Sequence, residues 1–290
     1  VLEEGLRGAG GILLNGDGDR FMFGYDERGE RATRDIVSRA IYDEMRKGNT
    51  TPQGGVHIAM SHLGPDNVAQ KFAGMVKRCA DCGFDLAGGL VEVVPTAHYF
   101  MGGVVVDTDT RTGLDGLYVA GEDAGGAHGA NRLGGNGVAN STVYGGIAGD
   151  VMGDDIAGKS ALRDPNEAVL AAEVERAMHP VGREAGNIHE LRTRLQNVMW
   201  DDVGVIRTAA GMTGALAKLD EIETELMQTG IAGGTLAFNL TWHDWLNLRS
   251  LVDISRVITL AGLSRENSRG AHYREDHPDQ GALDTSYFRS

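Results

Sequence analysis

The densest cluster of residues able to do chemistry is Gly121–Asn140, GEDAGGAHGANRLGGNGVAN. A strand is expected to end at its front and a helix to begin behind it. Glycines between them let backbone approach a ligand closely. A helix start presents free N–H groups and a partial positive charge to an electron-rich partner. The spacing is neither G-x-G-x-x-G nor a P-loop with its Lys-Ser/Thr pair. Glu122, His128, Asn131, Arg132 and Asn136 point to an ordered binding site; the competing reading is a long structural loop. A second stretch, PTAHYFMGG (95–103), sets His98 before a glycine pair. There an imidazole could donate to a carboxylate, or be a satisfied structural histidine. A third, ERATRD (30–35), falls at a helix start. Arg34 either binds an anion or sits in an exposed pair with Asp35. Cys79-Ala80-Asp81-Cys82 has a redox or zinc-knuckle spacing. Zinc needs four ligands and no second pair accompanies these two, so no metal site is expected.

The elements that must position these groups follow from periodicity. Ile12–Leu14 reads as a strand, with a hairpin-type turn at Asn15–Gly18. Thr33 to Lys47 reads as a helix, with Thr33 at the N-cap and Ile36, Val37, Ala40, Ile41 and Met45 on one face. A single helix is expected over 66–83, ending at Gly83. Val91–Val94, Gly103–Asp107 and Leu117–Ala120 read as strands. A helix follows from about Val138 to Met152. From Asn166 the texture is helical. Leu216, Leu219, Ile222 and Leu226 line one face, and Leu248, Leu251, Val252, Ile254, Val257 and Ile258 another. The stretch from Ser264 is charged and irregular.

Composition narrows the functions available. The formal charge is −14, with 27 basic and 41 acidic residues among 290. So acidic a chain is not expected to wrap nucleic acid or dock by charge on anionic lipid. No apolar run approaches the roughly 18 residues of a spanning helix. Two cysteines make no disulfide scaffold, which points to a reducing compartment. Glycine is abundant (43) while proline is scarce (6), so the glycines belong to defined close approaches rather than to a disordered linker. The opening Val1-Leu2-Glu3-Glu4 lacks an initiator Met and a signal peptide and reads as part of a longer protein.

Taken together, the motifs resemble the flavoprotein subunit of succinate dehydrogenase and fumarate reductase, of which aspartate oxidase is a close relative. The matching pieces are EGLRGAGGILLN, GDRFM, TRDIVSRAI, HLGP, PTAHYFMGG, GLYVAGE, HGANRLGGN, RTRLQNVMWDDVGVIR and ENSRGAHYRED, in the family's order. The resemblance implies an α+β and α/β fold with FAD as cofactor. Residues 1–95 would be a truncated capping domain and 96–152 the second segment of a Rossmann-like FAD domain. A helical bundle would occupy 153–262 and a tail 263–290. The N-terminal FAD segment, with its G-x-G-x-x-G loop, would be absent.

Roles follow by the same resemblance. Arg34 matches the family's catalytic arginine, which exchanges a proton with the substrate. Glu4 and Arg7 match the proton path behind it. His98 and Arg132 match residues that clamp a dicarboxylate, succinate or fumarate. Glu122, Asn136, Gly137 and Val138 match positions that contact FAD. Guanidinium is a poor base, so a relay and neighbouring cations would be required. Glu3 stands where succinate enzymes carry a substrate-touching Thr, Gly137 replaces a Ser and Ala9 a Glu. YDERGERATRDIVSRAIYDEM (25–45) leans toward aspartate oxidase, whereas PTAHYFMGG and RGAHYRED lean toward the succinate enzymes. The implied partners are a quinone-binding membrane anchor and an iron–sulfur subunit. The implied location is cytoplasmic, peripheral to the membrane through those partners. The alternatives are an L-aspartate oxidase-type flavoenzyme and a catalytically incomplete fragment.

Overall fold

The computed structural model describes residues 4–158, 164–233 and 235–281. Contacts divide the chain into two units, Val1–Tyr99 and Phe100–Ser290.

The first unit contains α1 (Glu4–Gly8), β1 (Ile12–Leu14), α2 (Arg34–Lys47), β2 (Val56–Ala59), α3 (Pro65–Lys71), α4 (Ala73–Asp81) and β3 (Leu90–Val93). The strands form an antiparallel sheet in sequence order, with Leu13 opposite Ile58 and Ile58 opposite Val91. Directly paired residues share a face. These three side chains are buried with Leu6, Met22, Val37, Ile41, Val56 and Met60 in one core.

α2 turns Val37, Ala40, Ile41 and Glu44 inward, the spacing of one helix face. It ends at Gly48, whose φ of +77° returns its N–H to the carbonyls of Glu44 and Met45. Thr33 stands at the N-cap but makes no side-chain capping bond. The single helix expected over 66–83 is two. The chain leaves helical geometry at Phe72 (φ −121°, ψ 34°), whose ring packs against the core.

The second unit contains α5 (Asn136–Ala157), α6 (Glu167–Met178), α7 (Ile188–Val203), α8 (Ala209–Gln228) and α9 (Leu240–Ser264). Gly103–Asp107 and Leu117–Ala120 are not regular strands. They appear as single bridges, Val104 to Ala124 and Arg111 to Tyr118. β-propensity becomes a strand only beside a neighbour that pairs over several residues, and among the described residues each segment pairs at a single bridge. α5 is longer at both ends than periodicity suggested.

Helices α7, α8 and α9 pack around Trp245, which is fully buried. Its indole N–H donates to the carbonyls of Leu226 and Thr229 at 3.1 Å, closing the end of α8. Leu219, Ile222, Leu226, Leu248 and Val252 fill the space around it. The buried stripe of α9 runs through Trp245, Leu248, Val252, Ser255 and Thr259. Leu251, Ile254 and Val257 lie beside it and are exposed, against the expectation that they line the same face. Asn166, Asn187, Thr208 and Asn239 cap α6 to α9 with side-chain bonds.

The segment after α9 folds back on the helices. Arg274 is buried, and its Nη1 donates to the carbonyls of Gly262, Leu263 and Arg265 at 3.1–3.2 Å, capping α9. Its Nε and Nη2 fork onto Asp276 at 2.7 and 2.8 Å, and Asp276 accepts the Ala209 N–H at the start of α8.

Candidate active site

In the first unit Glu4, Arg7 and Arg34 form a chain of charges. Arg34 opens α2, and its Nε lies 3.3 Å from Glu4 Oε2. Glu4 Oε1 is 3.9 Å from Arg7 Nη2. Asp35, the other candidate partner of Arg34, pairs with Arg39 one turn on at 3.0 Å. Arg7 is mostly buried, and its Nη1 donates to the carbonyls of Glu30 at 2.6 Å and Ala32 at 3.2 Å. Burial lowers its proton affinity and Arg34 adds to this, while Glu4 and Glu30 oppose both. A guanidinium held so gives up a proton more readily than one in water. Glu4 is half exposed, so its ion pairs contribute little stability.

Glu30 anchors this arrangement, and the sequence reading missed it. Its carboxylate is buried, accepts the Leu13 N–H at 3.0 Å, and takes a fork from Arg20 at 2.9 and 2.6 Å. Against the cost of burial, Arg20 and the Leu13 N–H hold its pKa below the usual carboxylate range. Glu30 thus ties the turn before Arg34 to β1, and its own carbonyl orients Arg7. An acidic residue just before a helix start gave no signal that it would be buried.

The second unit holds the glycine-rich loop. Gly121 has φ +87°, and a Cβ there would sit 3.0 Å from Ser141 Oγ. Glu122 is exposed and accepts the Phe100 N–H at 2.8 Å. Arg132 is buried at 7% exposure, with its backbone N–H against Met101 Sδ at 3.0 Å. Asn140, also missed, is buried one turn into α5. Its Nδ2 donates to Gly121 O at 3.1 Å and to His128 Nε2 at 3.1 Å, pinning the start and the middle of the loop to the helix. Burial and then Arg132 lower the affinity of His128 for a proton, so it accepts as a neutral ring.

α5 begins after Gly135 at φ +82°, and no side chain caps it. Asn136, Gly137 and Val138 form its first turn, with Val138 and the preceding Leu133 about three-quarters exposed. An open helix start with apolar flanks and no bulk at Gly134, Gly135 or Gly137 suits the electron-rich edge of a flat heteroaromatic ring.

Arg34, Glu4, Arg7 and His98 therefore belong to the first unit; Arg132, Glu122, Asn136, Gly137 and Val138 belong to the second. His98 is exposed, in a stretch without regular structure. Glu3 lies outside the described residues. Among the described residues no group of three His, Cys, Asp or Glu is placed to hold a metal, and no helix is long and apolar enough to cross a membrane.

Comparison with known proteins gives the class. An FAD binding domain model matches residues 1–138, and a fumarate reductase flavoprotein C-terminal model matches 192–289. The chain belongs to the family of succinate dehydrogenase and fumarate reductase flavoproteins and aspartate oxidases, whose cofactor is FAD. It is 40% identical over 283 residues to a subunit of the CoM/CoB fumarate reductase of Methanothermobacter marburgensis, covering 96% of this chain and 50% of that protein. It is 38% identical over 284 residues to L-aspartate oxidase of Yersinia pestis, covering 97% and 50%. The structure of Mycobacterium smegmatis Sdh1 in complex with UQ1 matches with a TM-score of 0.84 at 34% identity, over 97% of this chain and 47% of that one. The chain spans about half the length of the curated relatives it matches.

Proposed function

We propose that this FAD-dependent oxidoreductase interconverts succinate and fumarate, with Arg34 exchanging a proton with one substrate carbon. The observation that carries the reading is the Arg34–Glu4–Arg7 chain of ion pairs. Glu4 lies within reach of both guanidinium groups and can pass a proton between Arg34 and the exterior. Buried Arg7, held by two carbonyls, keeps positive charge behind Glu4.

His98 and Arg132 grip the substrate carboxylates. Arginine suits this task because its fork is planar and permanently charged. FAD, when bound, supplies hydride transfer. Gly137 and Val138 would hold it through backbone N–H groups, with Asn136 and Glu122 also contacting it, and the positive end of α5 would favour an electron-rich edge there.

In this reading the whole protein is the flavoprotein component of an electron-transport complex. It works with a quinone-binding membrane anchor and an iron–sulfur subunit, linked to the tricarboxylic acid cycle, on the cytoplasmic side. Support comes from the family and from the UQ1 complex of M. smegmatis Sdh1.

L-aspartate oxidation is the second reading. It is favoured by an identity to the Y. pestis oxidase nearly equal to that with the M. marburgensis fumarate reductase. The test is anaerobic flavin bleaching in the longest form of the protein that retains FAD. Bleaching by succinate supports the first reading; bleaching by L-aspartate alone replaces it with the second.

A further inference from the structure

The segment after α9 reaches the loop that carries Arg132. Arg269 and His272 pair across a two-residue turn, Arg269 N–H to His272 O at 2.8 Å and His272 N–H to Arg269 O at 3.2 Å. The tip of this turn, Gly270-Ala271, rests on Ala130. The Ala271 N–H donates to Ala130 O at 2.9 Å. Gly270 has φ +59°, and a Cβ there would stand 2.2 Å from Ala130 O, so only glycine permits the approach.

The base of the turn is held by side-chain hydrogen bonds. Ser268 Oγ accepts the Arg274 N–H at 2.8 Å and donates to His277 O at 2.7 Å. His272 spans Arg265 O and Arg207 Nη1, at 3.2 and 3.0 Å. Arg274 bolts the turn to the end of α9, and its partner Asp276 bolts it to the start of α8. Gly129 and Ala130, which precede Arg132, belong to no helix or strand.

We propose that the Gly270-Ala271 turn is the positioning element of Arg132. It clamps the carbonyl two residues upstream, so the helical core, rather than the loop, sets where the guanidinium sits. The inference rests on the reading that Arg132 grips a substrate carboxylate.

The test is Gly270→Ala in the longest form of the protein that retains FAD. The new methyl obliges Ala130 O to retreat by about 0.8 Å to reach a 3.0 Å contact, and misplacements on the order of 1 Å in substrate-holding groups cost up to roughly 100-fold. The expected result is a KM for succinate or fumarate raised at least ~10-fold, with kcat changed by less than ~3-fold. Bound FAD content should not change. Amide exchange should accelerate in residues 128–132 and stay unchanged in α7 to α9. Ala271→Pro, which removes the N–H, should act in the same direction.

Gly182→Ala is the control. It places a side chain at a similar φ of +79° with nothing within 4 Å, and should leave KM unchanged. Arg132→Gln separates the two claims. If it raises KM while Gly270→Ala and Ala271→Pro do not, the positioning role is overturned. If it leaves KM unchanged, the reading of Arg132 itself fails. If exchange in 128–132 is unaltered in both turn variants, the clamp does not exist.

Discussion

Lowering the pH should loosen the segment after α9 through one side chain. The Nε2–H of His272 faces the Arg265 carbonyl, so Nδ1 is left to accept from Arg207. A second proton would have to sit on Nδ1, against a guanidinium. Burial first, and then the charges of Arg207, Arg265 and Arg274, push the His272 pKa down to about 4. An unfolded chain's histidine titrates near ~6.5. Between those values only the unfolded chain takes up the proton, so stability falls as pH falls. The contribution is complete above about 6.5 and gone below about 4; a gap of about 2.5 pH units corresponds to roughly 3 kcal/mol. The perturbation is His272→Gln, which keeps a donor and an acceptor but gains no proton. The assay is urea unfolding followed by the fluorescence of Trp200, Trp242 and Trp245, all on α7 or α9. Between pH 7.5 and 4.5 wild type should lose up to about 3 kcal/mol more than the variant. Parallel pH profiles would refute the reasoning.

Other expectations are quicker to check. Glu30→Ala leaves the Leu13 N–H and the Arg20 fork without their acceptor and should destabilise the first unit by about 2–4 kcal/mol; proteolysis of residues 4–47 reads it, and unaltered resistance would contradict the anchoring role. Cys82 is exposed while Cys79 is buried with its thiol pKa raised by burial. An aromatic disulfide reagent should therefore label one thiol fast and the other at the rate of local opening; two equally fast thiols would contradict the packing of α4.

Much of the fold could be read from the residues because the signals were local. α2 and the helical texture after Asn166 follow from side-chain periodicity and caps that need no distant partner. The failures share one cause. Gly103–Asp107 and Leu117–Ala120 have strand composition, but a strand exists by pairing. The break at Phe72 is made by a ring that packs into the core, which spacing along 66–83 does not reveal. Leu251, Ile254 and Val257 are apolar and near the inward stripe of α9, yet which edge of a broad apolar face turns inward depends on α7 and α8.

The candidate site divides the same way. Arg34, Arg132 and the start of α5 stood out by residue type and by family resemblance. Glu30, Asn140 and the Gly270-Ala271 turn did not. Each acts by holding backbone far away in sequence: Leu13 for Glu30, Gly121 for Asn140 and Ala130 for Ala271.

The most direct test of the proton path is rapid-mixing flavin reduction by succinate in Glu4→Gln and Glu4→Asp. The Gln variant keeps the 3.3 Å approach to Arg34 but cannot carry the proton. The Asp variant keeps the charge but, one carbon shorter, draws back by about 1.5 Å. Both should slow reduction, Gln by roughly 10²–10⁴-fold, with dicarboxylate affinity unchanged. Reduction at the wild-type rate in Glu4→Gln would contradict the relay.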